Sequence, residues 1–378
     1  MLIDRRIFLM ALGAISLAAC DGQAQTVDGT TGLPPDLRPE PNANFDAWVA
    51  QFRSKALARG VSGATYDSAF ADAGFLPGVV TRDGSQIQTR RTFEDYLSIA
   101  TSDERVEKGR AAYARHRPTF DAITARFGVE GTIVAAIWGL ESQYGEKRGE
   151  IPVISSTATL AFDGRRADLY ESQLIAALKI LERGDTTPAN MTGSWAGAMG
   201  HTQFIPTSYE AFAVDFTGDG RRDVWGDDPS DALASAASYL QRNGWQTGVR
   251  WGGEAGTGAP GNQTIRPQRG GPAFVVTQNF RVLKRYNNAD SYALSVGHLA
   301  DRIGGAGPLR GSFPPDASGL TRADRLALQR GLTRQGYDLG TLDGVIGSQT
   351  EAAIRAFQTR RGLPVDGQAS RALLEALQ

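Results

Sequence analysis

Glu141 is the side chain in this sequence best suited to acid catalysis. It ends the apolar run VEGTIVAAIWGL at 129–140 and lies inside WGLESQYG. Apolar neighbours solvate a carboxylate poorly and favour its protonated form. A protonated carboxyl group is what a glycosidic oxygen needs when its bond to the sugar breaks. Gly139 and Gly145 flank it and leave room for a sugar. Hydrolysis with retention or inversion uses two carboxylates. No second acid has so apolar and glycine-flanked a setting, and Asp163 and Asp168 are the nearest candidates for that role. Three scattered histidines (His116, His201, His298) with no HExxH pair argue against a zinc hydrolase. One cysteine leaves no internal disulfide framework and no cysteine-rich metal site.

A second group of oxygen donors lies in DFTGDGRRD. Asp215, Thr217 and Asp219 alternate, the Arg221 carbonyl comes next in the series, and Gly220 takes the sixth position. That is the opening of an EF-hand-like loop, and a cation there would be structural calcium rather than a catalytic metal. Position twelve is Gly226 instead of glutamate, so a polar turn without metal is the competing reading.

The elements around these residues read as mainly helical. Lys plus Arg total 40 and Asp plus Glu 41, a net charge of −1, which lacks the basic excess of a nucleic-acid binder. The 41% apolar content supports folded cores. Residues 1–20 combine Arg5 and Arg6 with an apolar stretch too short to span a bilayer, which reads as an export signal. Its last four residues, Leu17-Ala18-Ala19-Cys20, resemble a bacterial lipobox, so Cys20 is the expected lipidation site. A proline-rich tether is expected over 21–44, and helical spacing begins at Phe45. The β-branched stretch AFVVTQNFRVL at 273–283 predicts a small strand excursion inside a helical domain running over 45–305. A Gly/Pro-rich linker follows over 306–320. Residues 321–378 read as three short helices with turns at Asp343-Gly344 and Asp366-Gly367 and a capping box formed by Ser348 and Glu351.

This last segment, with both DG turns and its AFQ–GL pair, closely resembles the peptidoglycan-binding module found at the ends of cell-wall enzymes. WGLESQYG, GAMGHTQFIPTS (197–208) and RYNNADSYAL (285–294) occur in an order that resembles the membrane-bound lytic murein transglycosylase B family. The resemblance implies a lysozyme-like α+β catalytic domain that cleaves the MurNAc-β-1,4-GlcNAc bond without water, leaving a 1,6-anhydromuramoyl end. Glu141 would act as acid and then as base, with assistance from the N-acetyl carbonyl and no cofactor. It further implies that Arg165 and Arg166 hold a substrate carboxylate and that Ser194 and Gln203 hydrogen-bond the sugar. Met199 would line the floor, with Tyr239, Tyr286, Asn287 and Tyr292 as walls. Asp231 would close the calcium loop. Ser142 stands where the family more often has threonine. The expected setting is a monomer in the periplasm of a Gram-negative bacterium, lipid-anchored to a membrane and bound to glycan strands. A muramidase with a second carboxylate, or a non-catalytic wall adaptor, are the rival readings.

Overall fold

The computed structural model describes residues 32–85 and 92–377, so the expected export signal and Cys20 lie outside the described residues. Six helices open the main body: α1 (Ala43–Ala58), α2 (Gly63–Phe70), α3 (Pro77–Gly84), α4 (Phe93–Ala100), α5 (Asp103–Arg115) and α6 (Arg117–Phe127). Four of them begin on a polar side chain, Asn42, Ser62, Thr92 or Ser102, that accepts from a free N–H of the first turn. Next comes α7 (Gly131–Ser142), in which every residue from Ile133 to Leu140 is buried. A helix that is apolar all round must be enclosed by other helices, and α5 and α6 are among those packed against it.

Beyond α7, α8 (Val153–Asp163) and α9 (Ala167–Arg183) pack side by side, followed by α10 (Pro206–Phe212) and α11 (Ser230–Arg242). Then come α12 (Gln278–Tyr286) and α13 (Asp290–Ile303), and α13 lies along α7. A two-stranded antiparallel pair joins β1 (Ile151–Pro152) to β2 (Thr192–Gly193). A three-stranded antiparallel sheet has the order β3 (Gly252–Glu254), β5 (Phe274–Val276), β4 (Gln263–Ile265). The strand expected over 273–283 therefore stops early. Thr277 caps the Asn279 N–H, and Phe280 and Leu283 then follow at helical spacing on the buried side of α12.

The tether expected over 21–44 is, from Leu33 onward, part of the folded body. Leu37 is buried, the Glu40 N–H donates to the Phe75 carbonyl at 2.9 Å, and Asp36 pairs with Arg82. Proline content marked irregular backbone there, but Leu33 and Leu37 had apolar surface to bury. The linker over 306–320 is likewise fastened. Phe313 packs on Phe93, and Glu254 accepts from the N–H groups of Arg310 (2.8 Å) and Gly311 (2.6 Å).

The C-terminal module has the three expected helices, α14 (Arg322–Arg334), α15 (Ser348–Arg361) and α16 (Arg371–Ala376). Its capping box is not at Ser348, which is already helical after Gly347, but at Thr321 and Asp324 on α14. Two buried glutamines organise the module in the same way. Gln329 accepts from Gly344 N–H at 2.8 Å and Gln358 from Gly367 N–H at 3.0 Å, so each amide holds one DG turn.

Candidate active site

Glu141 lies in the last turn of α7 and is half-buried. The helix stops there because Gln143 and Tyr144 take left-handed backbone (φ 53° and 60°), a conformation that costs energy for residues with a Cβ. The turn is clamped from behind. The Tyr144 hydroxyl donates to the Arg105 carbonyl at 2.9 Å, and its ring occupies the space a Cβ on Gly139 would need. Gly145, at φ 91°, faces the His201 ring. Gly139 thus makes room for a protein side chain and not for the sugar expected from sequence, whereas Gly145 meets the His201 ring and also lines the cavity. Ser142 is buried and donates to the His201 carbonyl at 2.6 Å, which ties α7 to the 197–208 segment.

The Tyr292 hydroxyl, presented by α13, donates to Glu141 Oε1 at 2.6 Å. Burial, and then the negative charge of Glu141, raise the Tyr292 pKa well above that of an ordinary phenol. It therefore keeps its proton and remains a donor across the neutral range. Tyr96 on α4 is raised in the same sense, by burial first and Glu141 second.

Glu141 opens into a cavity of about 1340 Å³, which Gln143, Ser194, Gln203, Trp195, Trp225 and Arg105 also line. Pockets for drug-sized ligands measure roughly 300–1,000 Å³, so this volume suits a more extended ligand. Gln203 sits at φ 50°, and its Nε2 donates to the carbonyls of Arg148 (2.9 Å) and Gly200 (2.8 Å). Its Oε1 accepts nothing from the described residues. Ser194 Oγ accepts from Ala198 N–H at 3.1 Å.

Other expected site residues lie elsewhere. Arg165 and Arg166 are outside the cavity lining, and both pair with buried Asp83. A buried carboxylate requires such partners, a constraint invisible in the spacing FDGRR. Met199 is fully buried, and its backbone bridges Gly193 and Phe204 instead of its side chain forming a floor. Tyr239 and Tyr286 are also buried, donating to the carbonyls of Arg285 (2.5 Å) and Thr202 (2.7 Å). Tyr286 stacks on Tyr292 with centroids 6.4 Å apart, so these two rings back the acid's partner without lining the cleft. Asn287 is buried at the end of α12. Asp163 and Asp168 are exposed and lie outside the lining. Sequence reasoning missed Trp195 and Trp225, although both stand beside residues it singled out, and it missed Arg105, which no motif marks.

The calcium loop does bring acids together. Asp215, Asp219 and Asp231 each offer an oxygen, and these lie within 4.8 Å of one another. Asp231 is buried, and that burial raises its pKa, with the Asp215 charge adding to the effect. A divalent cation would neutralise this crowding, so the donor set fits calcium. Thr217 donates to Asp215 within the loop, and Asp219 and Arg221 reach the rim of the cavity.

A family model described as a transglycosylase SLT domain matches residues 44–264 and 257–301. The chain belongs to this family. A peptidoglycan binding domain model matches residues 321–377 of this family member. Among solved structures, SltB3 from Pseudomonas aeruginosa in complex with NAG-NAM-pentapeptide is 43% identical. It covers 89% of this chain and 100% of its own, with a TM-score of 0.70. SltB1 from the same organism is 28% identical over 68% of this chain and 98% of its own, with a TM-score of 0.61. Membrane-bound lytic murein transglycosylase B of Escherichia coli is 29% identical over 241 residues, which are 55% of this chain and 66% of that relative, just under two thirds of its length. Escherichia coli Slt35 in complex with calcium is 24% identical with a TM-score of 0.58, a likeness of fold.

Proposed function

We propose that this chain is a lytic transglycosylase of peptidoglycan, with Glu141 as its single acid–base group. The observation that carries the reading is one half-buried carboxylate, held by a buried tyrosine, at the wall of a cavity sized for several sugars. Protonated Glu141 gives its proton to the oxygen joining MurNAc to GlcNAc, and the C1–O bond breaks. The N-acetyl carbonyl oxygen supports C1 as charge develops. Glu141, now a carboxylate, takes the proton from the muramoyl 6-hydroxyl, and O6 closes on C1 to leave the 1,6-anhydro end. Water is not consumed and no cofactor is called for. Ser194 and Gln203 offer hydrogen bonds to the sugar, and Trp195 and Trp225 offer apolar faces. SltB3 as crystallised with a NAG-anhNAM-pentapeptide is in keeping with this product.

The competing hydrolase needs a second carboxylate, and Asp163 and Asp168 stand off the cleft. Of the acids that do line it, Asp185 is paired with Arg183 and Arg222, and Asp223 accepts from the Trp225 and Gly226 N–H groups. Mass spectrometry of digested sacculi separates the two, because the anhydro product is lighter by one water. Glu141→Gln should lower turnover by about 10²–10⁴-fold, the usual weight of general acid–base catalysis, while sacculus binding persists. Unchanged turnover in that variant removes the mechanism, and lost binding with intact fold favours an adaptor. Lipid anchorage through Cys20 on a periplasmic membrane face belongs to the same proposal, supported by the lipobox-like sequence.

A further inference from the structure

Arg105 is a cation at the cleft whose guanidinium no described residue holds. It stands in the first turn of α5 and lines the cavity that contains Glu141. Its Nη1 is buried and has no hydrogen-bond partner, and no guanidinium nitrogen of Arg105 donates to any described residue. An unpaired buried donor is costly, more so when it carries charge. Burial lowers the pKa of this guanidinium from its usual value. An arginine nevertheless stays charged at any physiological pH.

Its neighbours in the cleft are otherwise engaged or solvated. Arg148 donates to the carbonyls of Trp225 and Gly226, both at 2.7 Å, and to Asp227. Lys147 and Arg221 are exposed at the rim. Arg165 and Arg166 belong to Asp83. The backbone of Arg105 is meanwhile held against the Glu141 turn. Tyr144 donates to its carbonyl while packing into the gaps left by Gly109 and Gly139 on the two helices.

We propose that Arg105 binds a carboxylate of the peptide stem carried by the muramoyl residue next to Glu141, the role that sequence resemblance gives to Arg165 and Arg166. A peptide carboxylate supplies the planar pair of acceptors that a guanidinium fork matches. Glycan strands carrying such stems are then favoured over strands from which an amidase has removed them. This inference rests on the transglycosylase reading. The wild-type control keeps the two apart, since release of anhydro product from both kinds of strand establishes the reaction independently of Arg105.

The test compares kcat and KM of wild type, Arg105→Ala and Arg105→Lys on defined pentapeptide-bearing strands and on amidase-treated strands. Arg105→Ala should lose about tenfold to a hundredfold in kcat/KM on peptide-bearing strands, mostly in KM, and less than threefold on denuded ones. Arg105→Lys should recover part of the preference. Equal losses on both substrates, a larger loss on denuded strands, or no loss at all would overturn the assignment. If the alanine variant melts below the assay temperature, Arg105→Gln takes its place, and the same substrate ratio decides.

Discussion

Tyr292 donates a short hydrogen bond to the acid it touches. A hydroxyl that donates at 2.6 Å to Glu141 stabilises the carboxylate form over the neutral acid. The first chemical step needs the neutral acid, so activity falls on the alkaline side as Glu141 loses its proton. Tyr292→Phe removes the donor and leaves the ring, and Glu141 then stays protonated to higher pH. The alkaline limb of kcat/KM against pH should move upward, with about a tenfold loss in kcat as the aim of the carboxyl group slackens. A limb that stays in place or moves down would show that the phenol does not govern this proton. Glu141 was legible in the sequence because an acid at the end of an apolar run is conspicuous. Resemblance named Tyr292 only as a wall of the cleft and not as the acid's partner, since a tyrosine 151 residues away carries no local mark of the contact. The arginines misled for the converse reason, because Asp83, which neutralises them, lies more than 80 residues earlier and looks like any surface acid.

At the scale of elements, periodicity foretold helices well and short strands poorly. Helix α7 announced itself by composition, and the two DG turns of the C-terminal module by residue type. β5 ends after three residues because the Thr277 cap and the side chain of Asn279, which donates to the carbonyls of Gln246 and Val249, favour a helix over a longer strand. The loop from Asp215 to Asp231 was legible as alternating oxygens, with Asp231 named as closing acid through resemblance, and that acid lies in the first turn of α11 beside Asp215 and Asp219. Asp215 and Asp219 stand near the surface beside buried Asp231, and calcium would neutralise the three like charges. Calcium at a hundred times its Kd should add about 2.7 kcal/mol to stability, raising Tm by roughly 5–10 °C. Asp219→Ala should abolish that rise. Equal melting of the wild type with calcium and with a chelator would dismiss the metal.

Across the whole molecule, one arginine links the wall-binding module to the body. Arg325 of α14 is only 5% exposed, and it reaches Glu94 (3.1 Å) and Asp95 (3.0 Å) on α4 as well as Asp316 (3.1 Å) in the connecting segment. It also donates to the Gly344 carbonyl at 2.6 Å, so one guanidinium joins a DG turn of the module to the helix that carries Tyr96. Removing one member of such a buried set strands the others, typically at a cost of about 3–5 kcal/mol. Arg325→Ala leaves three acids facing one another across the junction, and their repulsion should free the module to swing on residues 306–320. Small-angle scattering should then report a larger radius of gyration, and a protease should cut within that segment. Turnover of short soluble strands should change less than twofold, while digestion of intact sacculi falls severalfold, because a swinging module no longer presents the wall to the cleft in one orientation. An unchanged radius of gyration with unchanged sacculus digestion would mean that apolar contacts such as Phe313 on Phe93 hold the two parts together without the arginine.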